Sequence, residues 1–118
     1  APRPHNSGHW TIEGCHTSQF EQHVRAVTGR PLGATERRVP TASANILCDV
    51  TGRQKVTLQG VDDALARDRL ALHWYGKREG YRLRKMGHIT RPAADDGRDP
   101  TTLLEATRAA RDGLTFQE

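Results

Sequence analysis

The opening run, Ala1-Pro2-Arg3-Pro4-His5-Asn6-Ser7-Gly8-His9-Trp10, constrains this chain most. Pro2, Pro4 and Gly8 interrupt regular structure, so the polar groups between them sit on a stiff, non-helical loop. Arg3 offers a planar fork of donors suited to a carboxylate or phosphate. His5 can donate, accept or move a proton near neutral pH. Asn6 and Ser7 add neutral hydrogen-bonding groups. Such a loop suits a small anionic ligand better than a core. The pattern alone also describes an ordinary surface connection, the commoner fate of a polar run rich in Pro and Gly.

A chain of 118 residues is at most one domain in size, and with 35% hydrophobic residues its core is lean. No apolar run approaches the roughly 18 residues of a membrane span. The N-terminus lacks the apolar centre of a signal peptide, so a cytoplasmic location is expected. The one Met is Met86, so Ala1 is not a translation start, and a piece of a longer protein is the expected reading. A net charge of +4 suits an anionic ligand, and also weak nucleic-acid binding. Cys15 and Cys48 form no Cys-x-x-Cys and read as reduced, partly buried thiols.

Trp10, Ile12 and Cys15 suggest a brief strand leading out of the loop. Ser18 and Glu21 form a capping box, and Phe20, Val24 and Val27 then share a helical face, predicting a helix over 18–28 that Gly29 and Pro31 end. Its expected role is scaffold, with Phe20 packed inward. Residues 30–41 read as a polar connector. Residues 44–50 read as a buried strand and 55–59 as a half-buried one, which makes a hairpin plausible. Val61 to Arg67 reads as a short helix with Asp62 and Asp63 in its first turn. Strands are expected at 70–75 and 86–90, and a polar linker at 91–98. Asp99 and Pro100 then start a helix that buries Leu103, Leu104, Thr107 and Ala110 and ends near Gly113.

Lys77, Arg78, Arg82, Arg84 and Lys85 crowd one turn between the last two strands. Like charges at this density repel, so a bound phosphate is a natural partner, although a solvated edge is the usual fate of such a run. His5, His9, Cys15 and His16 offer a rival, a zinc site, but their spacing matches no zinc module and adjacent Cys15 and His16 diverge on a strand. No metal site is therefore expected. A second rival is a small basic RNA-binding module, with Trp74, Tyr75 and Tyr81 as stacking platforms. Aromatic residues are only 5% of the chain, which argues against it.

Three blocks carry a more specific signal. The opening run continues through Thr11-Ile12-Glu13 to Thr17-Ser18-Gln19-Phe20-Glu21-Gln22-His23. His73-Trp74-Tyr75-Gly76-Lys77 and Arg84-Lys85-Met86-Gly87-His88-Ile89-Thr90 follow in order. Together they resemble 5-(carboxyamino)imidazole ribonucleotide synthase, the ATP-grasp ATPase subunit of phosphoribosylaminoimidazole carboxylase. The resemblance covers most of residues 1–33 and 70–90.

It implies an α+β fold: the end of an ATP-grasp domain over 1–33, a small β-rich C-terminal unit over 34–90, and a linker with a closing helix over 91–118. It implies a ligase of de novo purine synthesis in which ATP phosphorylates bicarbonate to carboxyphosphate, and 5-aminoimidazole ribonucleotide is carboxylated. Arg3 and His5 are then the catalytic candidates, for anion stabilisation and for orienting bicarbonate or shuttling a proton. Asn6 and Ser7 are hydrogen-bonding partners of substrate, and His9 and Trp10 support the loop. Lys77, Arg84 and Lys85 fall where the family holds the ribonucleotide phosphate. The family often has Arg-Pro-Gly where Tyr81-Arg82-Leu83 stands here, which leaves Arg82 without an assigned role. The family's Asn-Glu pair, which holds the Mg2+ of the ATP, would precede Ala1. The implied partners are the remaining N-terminal domains of the same enzyme and a second copy in a homodimer. A chain of this extent is expected to be inactive alone.

Overall fold

The computed structural model describes residues 1–95, 97 and 99–118. Its centre is a three-stranded antiparallel sheet in the order β1 (Thr41–Leu47), β4 (Lys85–Pro92), β3 (Ala71–Trp74). Thr-Ala-Ser-Ala-Asn-Ile-Leu alternates strictly, so β1 turns Ala42, Ala44 and Ile46 to one face and Thr41, Ser43 and Asn45 to the other. The register sets Ala44 against Ile89 of β4, and Ile89 against Leu72 of β3. These rows form an apolar face. Helix α4 (Pro100–Asp112) covers it with Leu103 and Ala110, joined by Ala64 and Leu114. The expected cap of α4 is present: Asp99 accepts from the backbone N–H groups of Thr101 and Thr102, and Pro100 opens the first turn.

The opposite face is polar. Asn45, His88 and His73 form one row across the three strands. Ser43 donates to the Ile89 carbonyl at 3.1 Å, and its hydroxyl lies the same distance from that of Thr90. The opening segment covers this face as a 3-10 turn (Asn6–Gly8) and a single helical turn, α1 (Thr11–Gly14). The His9 ring stacks on His88 at 4.6 Å between centroids, and His88 stacks on His73 at 4.5 Å. Glu13 closes the column with a 2.7 Å bond to His73 Nε2. Gly87 is required beside it, since a Cβ there would run into the His73 carbonyl.

Several expectations are corrected. The stretch from Trp10 to Cys15 is helical rather than a strand, and Cys15 makes only an isolated bridge to Arg37. The strand read at 44–50 starts earlier, at Thr41, because the small residues before Ala44 already alternate. It forms no hairpin with 55–59. Instead β2 (Thr57–Gln59) pairs with a short C-terminal strand, β5 (Thr115–Gln117), which follows α4. That leaves residues 48–54 free to brace the basic turn. Pro92 belongs to β4, which shortens the expected linker, and Asp96 and Arg98 of that linker lie outside the described residues. The short helix α3 (Val61–Leu65) lies where expected.

Helix α2 (Gln19–Val27) is also where expected, with Ser18 accepting from the Glu21 N–H, but its orientation is not. Glu21 pairs with Arg25 at 2.8 Å rather than reaching back to the cap. Phe20 is 42% exposed, Val24 57% and Val27 68%. The helix meets this chain through its carboxamides and through the edge of its apolar side, where the Phe20 ring stacks on His9 at 5.7 Å between centroids. Gln22 accepts from the Gly33 N–H and donates to the Gly33 carbonyl, both at 2.9 Å, so the connector is held by polar bonds. Among the described residues no helix is long and apolar enough to cross a membrane.

Two outcomes follow from these placements. Val24→Asp is expected to move the chemical-unfolding free energy of this chain by less than about 0.5 kcal/mol, whereas Ile89→Ala, at 0% exposure, costs about 3 kcal/mol. Burial, then the neighbouring charges of His73 and His9, push the His88 imidazole down from 6.5 to about 4. The unfolded chain takes up that proton below pH 6.5 and the fold refuses it until about pH 4. The contribution of His88 is therefore complete above pH 6.5 and is lost as the pH falls, by about 3 kcal/mol at the acid end. Unfolding midpoints measured from pH 7 to pH 4 should fall, and His88→Gln should flatten the slope.

Candidate functional site

A cavity of about 630 Å³ opens where the opening segment meets the polar face of the sheet. His5, Asn6, Ser7 and Trp10 line one side, Thr41, Ser43 and Asn45 of β1 another, and Arg37 and Lys85 supply cations. Two stretches eighty residues apart in sequence thus meet in one pocket. The β1–β4 register brings them together: Leu47 pairs with Lys85 across a bulge, two residues beyond Asn45.

The 3-10 turn fixes His5. His5 is its N-cap, and Nδ1 accepts from the Ser7 N–H at 3.2 Å with the Ser7 hydroxyl 3.0 Å away. An Nδ1 that accepts leaves the ring proton on Nε2, so the neutral ring offers an N–H donor. Gln19, at the start of α2, holds the His5 backbone on both sides: the His5 N–H donates to Oε1 at 3.0 Å and Nε2 donates to the His5 carbonyl at 2.9 Å.

Of the residues expected at the site, His5, Asn6, Ser7 and Lys85 line this cavity. Lys77 sits beside it, donating from Nζ to the Lys85 carbonyl at 2.6 Å, 5.6 Å from the centre of the Tyr75 ring. Arg3 and Arg84 are not part of the lining. Arg3 donates to the neighbouring Pro4 carbonyl. Arg84 donates to the Glu79 carbonyl at 2.7 Å and lies over the Tyr81 ring, with Arg53 at 4.6 Å from the same ring. The basic turn is therefore braced rather than splayed. Gln54 and Gly80 exchange backbone bonds, and Cys48 bonds to Leu83 and Arg84. Arg82 is exposed.

Arg37, Thr41, Ser43 and Asn45 were not singled out in the sequence. The alternation of β1 does carry a signal for the last three, because every second residue is polar. Arg37 lies in an irregular connector, where no periodicity marks it.

The rival readings fare differently from the cavity. His5, His9, Cys15 and His16 do not gather. Among the described residues, the group within ligand reach is Glu13, His73 and His88. There the two rings lie 20° from parallel, so their in-plane lone pairs run side by side, and Glu13 is already bonded to His73. A tetrahedral ion needs donors that converge. The three aromatics of an RNA platform are dispersed. Tyr81 carries two guanidinium groups, Trp74 leans on Phe116, and the Tyr75 hydroxyl lies 2.8 Å from His88 Nδ1.

Residues 41–98 match the phosphoribosylaminoimidazole carboxylase C-terminal domain, and residues 1–20 match the ATP-grasp domain. The chain is 51% identical over 90 residues to N5-carboxyaminoimidazole ribonucleotide synthase of Bacillus subtilis, an alignment that takes in 76% of this chain and 22% of that protein. It superposes on the crystal structure of the Thermotoga maritima N5-carboxyaminoimidazole ribonucleotide synthetase with a TM-score of 0.88 and 47% identity, over 98% of this chain and 31% of that one. The Aspergillus clavatus N5-carboxyaminoimidazole synthase, in complex with ADP and 5-aminoimidazole ribonucleotide, matches with a TM-score of 0.74 and 34% identity over 95% of this chain and 30% of that one. The chain spans between 17% and 23% of the length of the curated relatives it matches. The α+β fold, the ATP-grasp match at residues 1–20 and the C-terminal-domain match at 41–98 agree: this chain belongs to the N5-carboxyaminoimidazole ribonucleotide synthase family.

Proposed function

We propose that this chain supplies the ribonucleotide-holding end of an ATP-dependent ligase that carboxylates 5-aminoimidazole ribonucleotide. The observation that carries the reading is the single cavity shared by the His5–Ser7 turn and Lys85. A ribonucleotide phosphate suits Lys85, whose ammonium is a compact charge, with Lys77 close by through its bond to the Lys85 carbonyl. Arg84, committed to Glu79 and Tyr81, then shapes the turn more than it holds the phosphate. The Nε2–H of His5 suits an oxygen of bicarbonate or of its phosphorylated form, which favours orientation over proton abstraction. Asn6 and Ser7 supply neutral donors beside it. Arg3 is the least constrained of the expected site residues, held only by its neighbour's carbonyl, and is free to turn toward an anion.

ATP use by the whole enzyme fits the ATP-grasp match and the ADP-bound relative. Magnesium does not fit the cavity described here, whose lining contains no carboxylate, and no step is routed through it. Bicarbonate as co-substrate, the division at residue 33 and a homodimer rest on the resemblance. The exposed apolar stripe of Phe20, Val24 and Val27 fits burial against the remaining part of the same enzyme.

The test places residues 1–118 in the full-length Bacillus subtilis synthase in place of its corresponding segment. Lys85→Ala should raise KM for the ribonucleotide by roughly 10- to 100-fold, the weight of a charge-assisted hydrogen bond, and leave KM for ATP within about twofold. Arg84→Ala should have the smaller effect. Equal effects of Lys85→Ala on both substrates would exclude the phosphate assignment. The isolated 118-residue chain should show no ribonucleotide-dependent ATP hydrolysis.

A further inference from the structure

We infer that Gln19 is a positioning residue for His5, holding that side chain in the cavity through the backbone. The inference rests on the reading above, that the cavity of His5 and Lys85 is the substrate site.

The carboxamide of Gln19 makes three bonds at once. Oε1 accepts from the His5 N–H at 3.0 Å, and Nε2 donates to the His5 carbonyl at 2.9 Å. The second proton of Nε2 faces His9 Nδ1, also at 2.9 Å. The first two bonds reproduce a rung of a sheet, with a side chain as one strand. They satisfy the His5 N–H, on the residue that follows Pro4, and add a second donor to a carbonyl that already accepts from the Gly8 N–H at 2.9 Å. The third ties that rung to the imidazole column on the sheet. The His5 N–H and carbonyl fix which end of the carboxamide carries the oxygen, so Nε2 faces His9 and Nδ1 accepts; burial, then the charges of His73, His5 and Lys85, push the His9 imidazole below its ordinary range, which favours the neutral ring that can accept.

Gln19 is itself held. Its N–H donates to Thr11 Oγ1 at 2.9 Å, and that hydroxyl donates to the Gly8 carbonyl at 2.5 Å. A Cβ at position 8 would overlap the Gln19 carboxamide, so glycine there makes room for it. Gln19 lies outside the cavity lining and touches no expected substrate position. Its effect therefore passes through His5.

A double-mutant cycle in the full-length chimaera tests this. Gln19→Ala should lower kcat at least tenfold in the parent and by less than twofold in a His5→Ala background, since the side chain it positions is then gone. Gln19→Glu keeps the bulk and the acceptor for the His5 N–H but loses the donor. It should lower kcat at least fivefold with the melting temperature within 2 °C of the parent, which separates positioning from unfolding. The same factor for Gln19→Ala in both backgrounds, or full activity of Gln19→Glu, would overturn the assignment. If His5→Ala itself stays within twofold of the parent, the site reading fails, and the inference with it. If His5→Ala is crippling but Gln19→Ala is silent, only the inference about Gln19 fails.

Discussion

The ladder between β1 and β4 is the constraint from which the rest of the structure follows. Each residue of β1 faces one partner on β4, and because side chains alternate, that pairing decides two faces at once. Ala44 against Ile89 builds the apolar side on which α4 packs. Asn45 against His88 builds the polar side that the opening segment covers. The bulge between Ile46 and Leu47 then brings Lys85 to the end of the polar side. A slip of one residue would turn His88 toward α4 and Ile89 toward the cavity, and neither layer would survive.

Much of this was legible in residue order. The capped helices α2 and α4, the strand pair around the basic turn and the α+β class follow from short-range signals: Ser18 before Glu21, Asp99 before Pro100, Gly76 after Trp74. The motifs marked both walls of the cavity. What escaped were pairings of high sequence separation. β5 is three residues long and contacts β2, nearly sixty residues earlier, and no local pattern announces such a partner. The opening turn was misread for a different reason. Trp10, Ile12 and Cys15 look alternating, but the Thr11 hydroxyl bonds back to Gly8, which favours a helical turn.

Helix α2 shows why an amphipathic pattern identifies a helix without saying what its apolar side meets. Gln19 and Gln22 are three residues apart and so lie on neighbouring positions of one face. Each clamps one extended residue, His5 or Gly33, by the same pair of bonds. The face that anchors the helix to this chain is thus mainly the polar one, joined by Phe20 where it stacks on His9, while Val24 and Val27 remain outward. A carboxamide pairing with a backbone amide needs matched geometry at two atoms, so it fixes position more narrowly than apolar contact, which is non-directional. That suits a loop whose side chains must present polar atoms at set points.

The basic turn makes the complementary point about charge. Five cations within nine residues suggested a vacancy for a phosphate. In the fold two of them already have partners: Arg84 the Glu79 carbonyl and the Tyr81 ring, Lys77 the Lys85 carbonyl. Arg53, from a segment that the sequence left unassigned, shares Tyr81 and lies 3.7 Å from the Glu79 carboxylate. Charge density along the chain therefore does not tell which cations find acceptors within the turn itself. Lys85 lines the cavity, and its backbone carbonyl takes the bond from Lys77. The same logic runs through the imidazole column behind it. Burial pushes His9 and His88 toward the neutral form, which costs less to bury than the charged one, and Glu13 bonds the outermost ring, His73, at the other end of the stack from His9. The half-buried Glu13 carboxylate thus stands at one end of the column, and Lys85 lines the cavity in front of it.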